Sequence, residues 1–252
     1  MTTRAPAVAA GERTGFPVQA LLFDLDGTLI DSMPHHHDAW VEWHARRGMA
    51  IDVERFFAST AGRSNEEIIA DMLPGTGAAE IARLADEKEA LYRELAAPTL
   101  TLIDGAQDYV QRARAAGLLL AICTASTLPN MALAFQRFGI DGWVETIVSP
   151  ADHGPDSGAR LRGKPHPDIF NEAARRLGVA PAQCVVFEDA PLGVEAARRA
   201  GMQAVALTTT LPAQAFAGFD NLIAIAADFT ALQAAMPARP DLNFQEGPPH
   251  DA

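Results

Sequence analysis

The feature that most constrains this chain is a short apolar run that ends in two acidic residues. Residues 20–23 read Ala-Leu-Leu-Phe, and Asp24 and Asp26 follow, with Gly27 next to permit a sharp turn. Such a run is typical of a strand buried on both faces of a parallel sheet. Carboxylates at the end of a buried strand are costly unless a positive charge lies between them. Because Mg2+ prefers oxygen ligands and also binds phosphate, we expect a magnesium site here.

Polar side chains follow other predicted strands in the same way. Thr124 follows a strand predicted at 118–123, and Glu188 and Asp189 follow one predicted at 184–187. Lys164 lies in a Gly- and Pro-rich loop just before a helix predicted at 167–177. Ligands of open parallel sheets bind beyond the carboxyl ends of the strands. An ordinary Asp-Gly turn would explain the first pair of acids alone, but not this whole set at one sheet edge.

The order of predicted elements indicates the fold. Residues 33–97 contain helical patterns at 36–47, 52–59, 65–73 and 78–95, with no strand signal between them. From residue 100 strands and helices alternate, with further helices at 105–116, 129–138 and 191–200 and strands at 146–148, 204–207 and 222–225. The pattern predicts an α/β fold, a Rossmann-like parallel sheet flanked by helices, with an inserted helical domain.

These patterns also predict domain boundaries. We expect a core at 17–32 and 99–236, a helical cap at 33–98, a disordered leader at 1–16 and a flexible tail at 237–252.

Composition excludes some classes of function. The formal net charge of −12 argues against nucleic acid as a partner. No apolar stretch approaches the roughly 18 residues of a membrane span, so we expect no membrane partner. The two cysteines lie in or beside apolar runs and are predicted to be reduced and buried, which favours a cytoplasmic location. We expect a monomer or a weak dimer.

The motifs resemble those of a known superfamily. Residues 24–28, Asp-Leu-Asp-Gly-Thr, resemble the first motif of the haloacid dehalogenase superfamily of phosphotransferases. Thr124, Lys164 and the Glu188-Asp189 pair match its remaining motifs in order. Segments 163–170 and 185–194 resemble the branch that includes β-phosphoglucomutase and small sugar-phosphate phosphatases. The resemblance covers about residues 18 to 230, and it identifies the helical block with that branch's mobile cap.

The resemblance implies a role for each core residue. Asp24 would be a nucleophile that becomes transiently phosphorylated, and Asp26 the general acid and base. The implied catalytic set is Asp24, Asp26, Thr124 and Lys164. Mg2+ would be bound by Asp24, the main-chain carbonyl of Asp26, Asp189 and Glu188, the last either directly or indirectly. The implied phosphate-binding set is Asp24, Gly27, Thr124, Ala125 and Lys164.

Three cap residues are candidates for contact with the substrate. His36 would face the active site, although plain helix packing explains it equally well. Arg63 could meet a second anionic group, although a solvated Arg is commoner. The branch's mutases carry Arg at the position of Asn65 and a Lys-Asn pair at the positions of Thr127 and Leu128. This chain therefore lacks the side chains with which those mutases hold a bisphosphate.

The predicted function is therefore a Mg2+-dependent phosphatase. Its substrate would be a small phosphorylated metabolite, a sugar phosphate or a phosphoglycolate-like compound, hydrolysed through an aspartyl-phosphate. The alternative is a phosphosugar mutase of the β-phosphoglucomutase type. A protein that binds a phosphorylated ligand without catalysis is less favoured, because every motif residue is present.

Overall fold

The structure is a computed structural model that describes residues 18–60, 63–154 and 158–235. The predicted leader and tail lie outside the described residues. Within these ranges six strands form one parallel sheet: β1 (Ala20–Phe23), β2 (Leu119–Cys123), β3 (Thr146–Val148), β4 (Cys184–Glu188), β5 (Gln203–Leu207) and β6 (Leu222–Ala226). Their order is β3-β2-β1-β4-β5-β6. The prediction of a Rossmann-like α/β fold is confirmed.

The helices fall into two groups along the chain. Four lie between β1 and β2: α1 (Met33–Arg46), α2 (Val53–Thr60), α3 (Asn65–Met72) and α4 (Ala78–Ala96). The others alternate with the later strands: α5 (Ala106–Ala115), α6 (Leu128–Phe138), α7 (Asp168–Leu177), α8 (Pro191–Arg199) and α9 (Phe229–Ala235). Short 3-10 helices lie at Ile140–Trp143, Pro181–Gln183 and Ala213–Phe216.

The central strand explains the apolar run that opens the fold. β1 pairs with β2 on one side and with β4 on the other. Leu21 and Phe23 pack into the hydrophobic core on one face of the sheet, and Ala20 and Leu22 into the core on the other face. All four side chains are fully buried, as the continuous apolar pattern predicts.

The helices α1 to α4 form a unit that we call the helical insert (residues 33–96). Trp43 and Tyr92 are fully buried inside it, and the Trp43 indole donates a hydrogen bond to the Leu84 carbonyl at 3.2 Å. The chain enters and leaves the insert through neighbouring segments, because the Asp31 amide donates to the Thr101 carbonyl at 2.9 Å. That the insert acts as a separate, mobile cap domain stays a prediction.

Helix α9 was not predicted from the sequence. The Asp228 carboxylate caps its N-terminus by accepting a hydrogen bond from the Ala231 amide at 2.6 Å. Phe229 and Leu232, three residues apart, are buried in the core. An acidic cap followed by this spacing is a helix signal, but seven residues are too few for the periodicity to stand out.

Two expectations from composition can be compared with the described residues. Both cysteines, Cys123 and Cys184, are buried free thiols. Among the helices of the described ranges, none is both long enough and apolar enough to span a membrane.

Candidate active site

Three acidic side chains meet at the carboxyl edge of the two central strands. The Asp24 amide extends the β1–β4 pairing by donating to the Phe187 carbonyl at 3.0 Å, which brings the end of β1 beside the end of β4. Asp24, Glu188 and Asp189 are all buried, and each offers a carboxylate oxygen within 4.8 Å of the others. The sequence prediction that these residues converge agrees with this placement.

Among the described residues, one ammonium lies between these carboxylates. Lys164, from the loop before α7, contacts Asp24 Oδ1 and lies 2.5 Å from Glu188 Oε1. Its side chain is 11% exposed. Burial acts to lower the pKa of Lys164, but the charges of Asp24 and Glu188 outweigh it and raise the pKa well above the usual value. Lys164 is therefore a fixed positive charge.

The carboxylates outnumber that positive charge. Burial and the neighbouring acids raise the pKa of Asp24 despite the attraction of Lys164. Burial and the charge of Glu188 raise the pKa of Asp189 to about 7. With all groups ionised, three carboxylates against one ammonium leave an excess of two negative charges. The oxygen donors and this excess fit a hard divalent cation such as Mg2+.

The Asp26 side chain is not part of that acidic cluster. Its Oδ1 lies 3.8 Å from His36 Nε2 in the helical insert. Burial acts to raise the pKa of Asp26, but His36 and nearby hydroxyls outweigh it, so the pKa is lowered. Asp26 is thus ionised at neutral pH in the free protein, and its predicted role at the metal involves only its main-chain carbonyl.

Two glycines make room for the acidic cluster. A Cβ on Gly193, in the first turn of α8, would lie 1.9 Å from Glu188 Cδ. A Cβ on Gly27 would lie 2.2 Å from Asp189 Oδ2, and the φ of Gly27 is +75°. Any larger residue at either position would displace a carboxylate. Gly27 therefore leaves room for the Asp189 carboxylate in addition to forming the turn that the sequence predicts.

Hydroxyl groups complete the sheet edge. Thr124 is buried, and its hydroxyl accepts a hydrogen bond from the Ser126 amide at 2.9 Å. Thr210 donates to Asp189 Oδ2 at 2.5 Å, and Thr209 donates to the Gly27 carbonyl at 2.5 Å. Sequence reasoning missed the last two residues. The run Thr208-Thr209-Thr210 directly after β5 is the signal that could have identified them.

A cleft of 880 Å³ lies between this edge and the helical insert. Of the predicted site residues, those that line it are Asp24, Asp26, His36, Arg63, Asn65, Thr124, Ala125, Lys164, Glu188 and Asp189. Gly27 is not among them. Arg63 is exposed and pairs with Asp71 at 2.6 Å, so its guanidinium is already occupied at the mouth of the cleft.

The insert contributes a buried polar cluster that the sequence did not predict. The Lys88 ammonium lies 2.6 Å from His36 Nδ1 and 3.0 Å from Glu89 Oε1. Since an ammonium only donates, Nδ1 of His36 accepts, and the proton of the neutral ring is on Nε2, toward Asp26. Glu89 also accepts from the amides of Asn65 and Asn130. Lys88 and Glu89 belong to a run of charged residues typical of an exposed helix, and for this reason the sequence did not predict that they are buried.

Comparison with known proteins decides the family. The model of the haloacid dehalogenase-like hydrolase family matches residues 18–201. This range includes Asp24, Asp26, Thr124, Lys164, Glu188 and Asp189. The chain belongs to this family. The prediction of a haloacid dehalogenase-like hydrolase of phosphoric monoesters is confirmed.

Its curated relatives in the family include phosphatases and a mutase. The chain is 32% identical to validoxylamine A 7'-phosphate phosphatase of Streptomyces hygroscopicus subsp. limoneus, over 80% of this chain and 91% of the relative. It is 34% identical to fructose-1-phosphate phosphatase YqaB of Escherichia coli, over 73% and 94%. It is 28% identical to beta-phosphoglucomutase of Bacillus subtilis, over 84% and 92%.

A solved haloacid dehalogenase structure supports the same assignment. A family IA, variant 3 hydrolase of Entamoeba histolytica superposes with a TM-score of 0.76 at 26% identity, and the match covers 90% of this chain and 99% of that one. The match therefore spans nearly the whole length of that hydrolase.

Proposed function

We propose that the protein is a Mg2+-dependent phosphatase that hydrolyses a small phosphorylated metabolite through an aspartyl-phosphate on Asp24. The observation that carries this proposal is the contact of one ammonium, that of Lys164, with both Asp24 and Glu188 at the floor of the cleft. A phosphate monoester placed there would meet a nucleophilic carboxylate, a positive charge and the Thr124 hydroxyl at once.

The acidic cluster supports a metal requirement. Asp24, Glu188, Asp189 and the main-chain carbonyl of Asp26 would hold Mg2+, which when bound offsets the negative charge of these carboxylates and of the substrate phosphate. The excess negative charge described above is the reason that the protein needs such an ion.

The first half of the reaction would transfer the phosphoryl group to the protein. Asp24 attacks the phosphorus atom, the bond to the leaving oxygen breaks, and the leaving alkoxide takes a proton from Asp26. Lys164 and Thr124 bind the equatorial oxygens, where charge accumulates in the transition state. Asp26 must carry a proton for this step. The arriving phosphate dianion raises the pKa of a neighbouring carboxyl and favours that protonated form.

The second half would restore the free enzyme. Asp26, now ionised, takes a proton from a water molecule, whose oxygen attacks the phosphorus of the aspartyl-phosphate. The bond between phosphorus and the Asp24 oxygen breaks, inorganic phosphate leaves, and Asp26 loses the proton to solvent. The lowered pKa of Asp26 in the free protein keeps it in the ionised form that can accept this proton. The helical insert would close the cleft to control the access of water, as a cap.

The positions that distinguish mutases support hydrolysis. Asn65 uses its amide to hydrogen-bond Glu89 and adds no positive charge. Thr127 caps helix α6, and its hydroxyl accepts a hydrogen bond from the main-chain amide of Asn130 at 3.4 Å. Neither side chain supplies a cation for a second phosphate. A monomer or weak dimer in the cytoplasm stays the prediction for the protein's state in the cell.

Release of inorganic phosphate from a panel of phosphorylated sugars tests this proposal. We expect release that depends on Mg2+ and stops with EDTA. Conversion of β-glucose 1-phosphate to glucose 6-phosphate, followed in parallel, would instead identify a mutase. Absence of turnover, with binding of phosphorylated ligands retained, would favour a protein that kept the fold without catalysis.

The acidic cluster also predicts a pH-dependent response to Mg2+. The folded-state pKa of Asp189, about 7, lies above its ordinary value of 3.8, so the folded protein retains a proton that the unfolded chain loses. The stability of the metal-free protein should therefore fall as pH rises from about 4 to about 7. Because Mg2+ binds the ionised form, the rise in Tm on adding Mg2+ should grow over this same range.

Thermal unfolding with EDTA and with Mg2+, from about pH 5 to about pH 8, measures this effect. Ca2+ is the control, because it also binds carboxylate oxygens but does not require the octahedral geometry of Mg2+. A Tm increment that stays constant over the whole range would contradict the prediction.

A further inference from the structure

The cap side of the cleft is acidic. Among the described residues that line the cleft, those contributed by the helical insert include four carboxylates, at Glu66, Glu67, Asp86 and Glu89. The two insert cations that line it are Arg63 and Lys88, and both are already paired.

Glu89 is the buried member of this acidic wall. It is 7% exposed and comes from helix α4 of the insert. One of its oxygens accepts from Asn65 and lies 3.0 Å from Lys88, and the other accepts from Asn130 at 2.5 Å. Asn130 belongs to helix α6 of the core, and its own carbonyl oxygen accepts from Arg93 at 2.8 Å. Glu89 is thus held in place from both sides of the cleft.

The ionised state of Glu89 follows from these partners. Burial acts to raise its pKa, but the charge of Lys88 and the hydrogen bonds from the two amides outweigh it, so the pKa is lowered. A carboxylate has about four acceptor positions, and amide groups offer two donors each. A hydroxyl-bearing ligand therefore finds both acceptors and donors here, whereas an anion meets a carboxylate whose Oε2 is bound, among the described residues, only by a neutral amide, that of Asn130.

Successive contacts connect this wall to the phosphate end of the cleft. Asp26 Oδ1 lies 3.8 Å from His36, His36 lies 2.6 Å from Lys88, and Lys88 lies 3.0 Å from Glu89. The Lys88 side chain is 2% exposed and that of Glu89 is 9% exposed, so the carboxylate is the more accessible member of this ion pair.

We propose that Glu89, held by Asn65 and Asn130, restricts the substrate to phosphate monoesters with a single anionic group and an uncharged, polyhydroxylated remainder. The inference rests on the proposed function, because it assumes that the substrate phosphate binds at Asp24 and Lys164. It excludes sugar bisphosphates and phosphorylated acids, including phosphoglycolate, as good substrates. A second phosphate or a carboxylate at the cap end would lie against the charge of Glu89, and like charges placed together oppose binding.

Matched pairs of substrates test this inference on the unaltered protein. One pair is fructose 1-phosphate and fructose 1,6-bisphosphate, and another is glucitol 6-phosphate and gluconate 6-phosphate, all with saturating Mg2+. We expect kcat/KM to favour the member with one anionic group by roughly 10- to 100-fold, mainly through KM.

The substitution Glu89→Gln tests the residue itself. It keeps the shape and removes the charge, and it leaves Lys88 without its carboxylate partner. We expect the preference within each pair to fall by about 10-fold or more, with KM for the doubly charged member decreasing. Glu89→Asp retains the charge and should retain the preference even where its overall activity falls. Glu94→Gln is the matched control, an exposed carboxylate of the same helix that does not line the cleft.

The possible results separate the two proposals. If no monophosphate is hydrolysed with Mg2+, the proposed function is wrong. If both members of each pair are hydrolysed equally well by the unaltered protein, the phosphatase proposal stands and the restriction by Glu89 is wrong. If the preference exists but survives in Glu89→Gln, another residue causes it and the assignment to Glu89 is overturned.

Discussion

Asp24→Asn should abolish turnover while leaving the protein folded. The amide has nearly the same shape as the carboxylate but cannot form the aspartyl-phosphate, so we expect release of phosphate to fall by more than about 1,000-fold. Asp24 is buried beside Lys164, and burial holds its pKa well above the usual value. Replacing it removes a carboxylate that is costly to ionise, so the Tm of the metal-free protein should not fall.

Phosphate release with Mg2+, together with thermal unfolding in EDTA, measures both parts of this prediction. Asp108→Asn is the matched control, because Asp108 is exposed on α5 and does not line the cleft. Full activity in the Asp24 variant would remove the nucleophile from the mechanism. Loss of activity together with loss of the fold would leave only a structural role for this residue.

Lys164→Met should have the second largest effect. The ammonium of Lys164 contacts Asp24 and Glu188, and Met retains the length of the side chain without the charge. We expect kcat/KM to fall by about 100- to 1,000-fold, because the transition state loses a positive charge near its equatorial oxygens. In EDTA the variant should also be less stable by about 3 kcal/mol, because buried carboxylates lose their partner.

A comparison of Tm values in EDTA and in Mg2+ tests the reason for this instability. Added Mg2+ should restore more Tm to Lys164→Met than to the unaltered protein, because the cation replaces the missing positive charge. Lys164→Arg keeps the charge and is the control for stability. Equal Tm values for the Met variant and the unaltered protein in EDTA would show that Lys164 does not compensate the acidic cluster.

The core of the site could be predicted because its residues follow strands. Asp24 follows β1 and Glu188 ends β4, and the carboxyl ends of neighbouring parallel strands must meet. The apolar run before Asp24 also predicted that this strand is buried on both faces of the sheet, as it is. Helix α9 was not predicted because it has only seven residues, and only two of its described side chains, Phe229 and Leu232, are buried in the hydrophobic core.

The cap end of the cleft could not be predicted in the same way. Glu89 and Asn130 are 41 positions apart, on an inserted helix and a core helix, and no rule of periodicity sets the distance between two such elements. Lys88 and Glu89 also follow a charge pattern that is normally exposed to solvent. The packing of α4 against α1, α3 and α6 turns this part of the helix inward, where Lys88 is 2% exposed.

The paired segments at the base of the helical insert have a consequence for engineering. Ile30 bridges Leu102 in antiparallel fashion, and the Ile103 amide donates to the Leu29 carbonyl at 3.0 Å. The insert thus begins and ends at adjacent points of the core. A different set of helices could be grafted between these two points without altering the register of any strand. The edge of the sheet that carries Asp24 and Lys164 would then meet a different substrate, selected by the new helices.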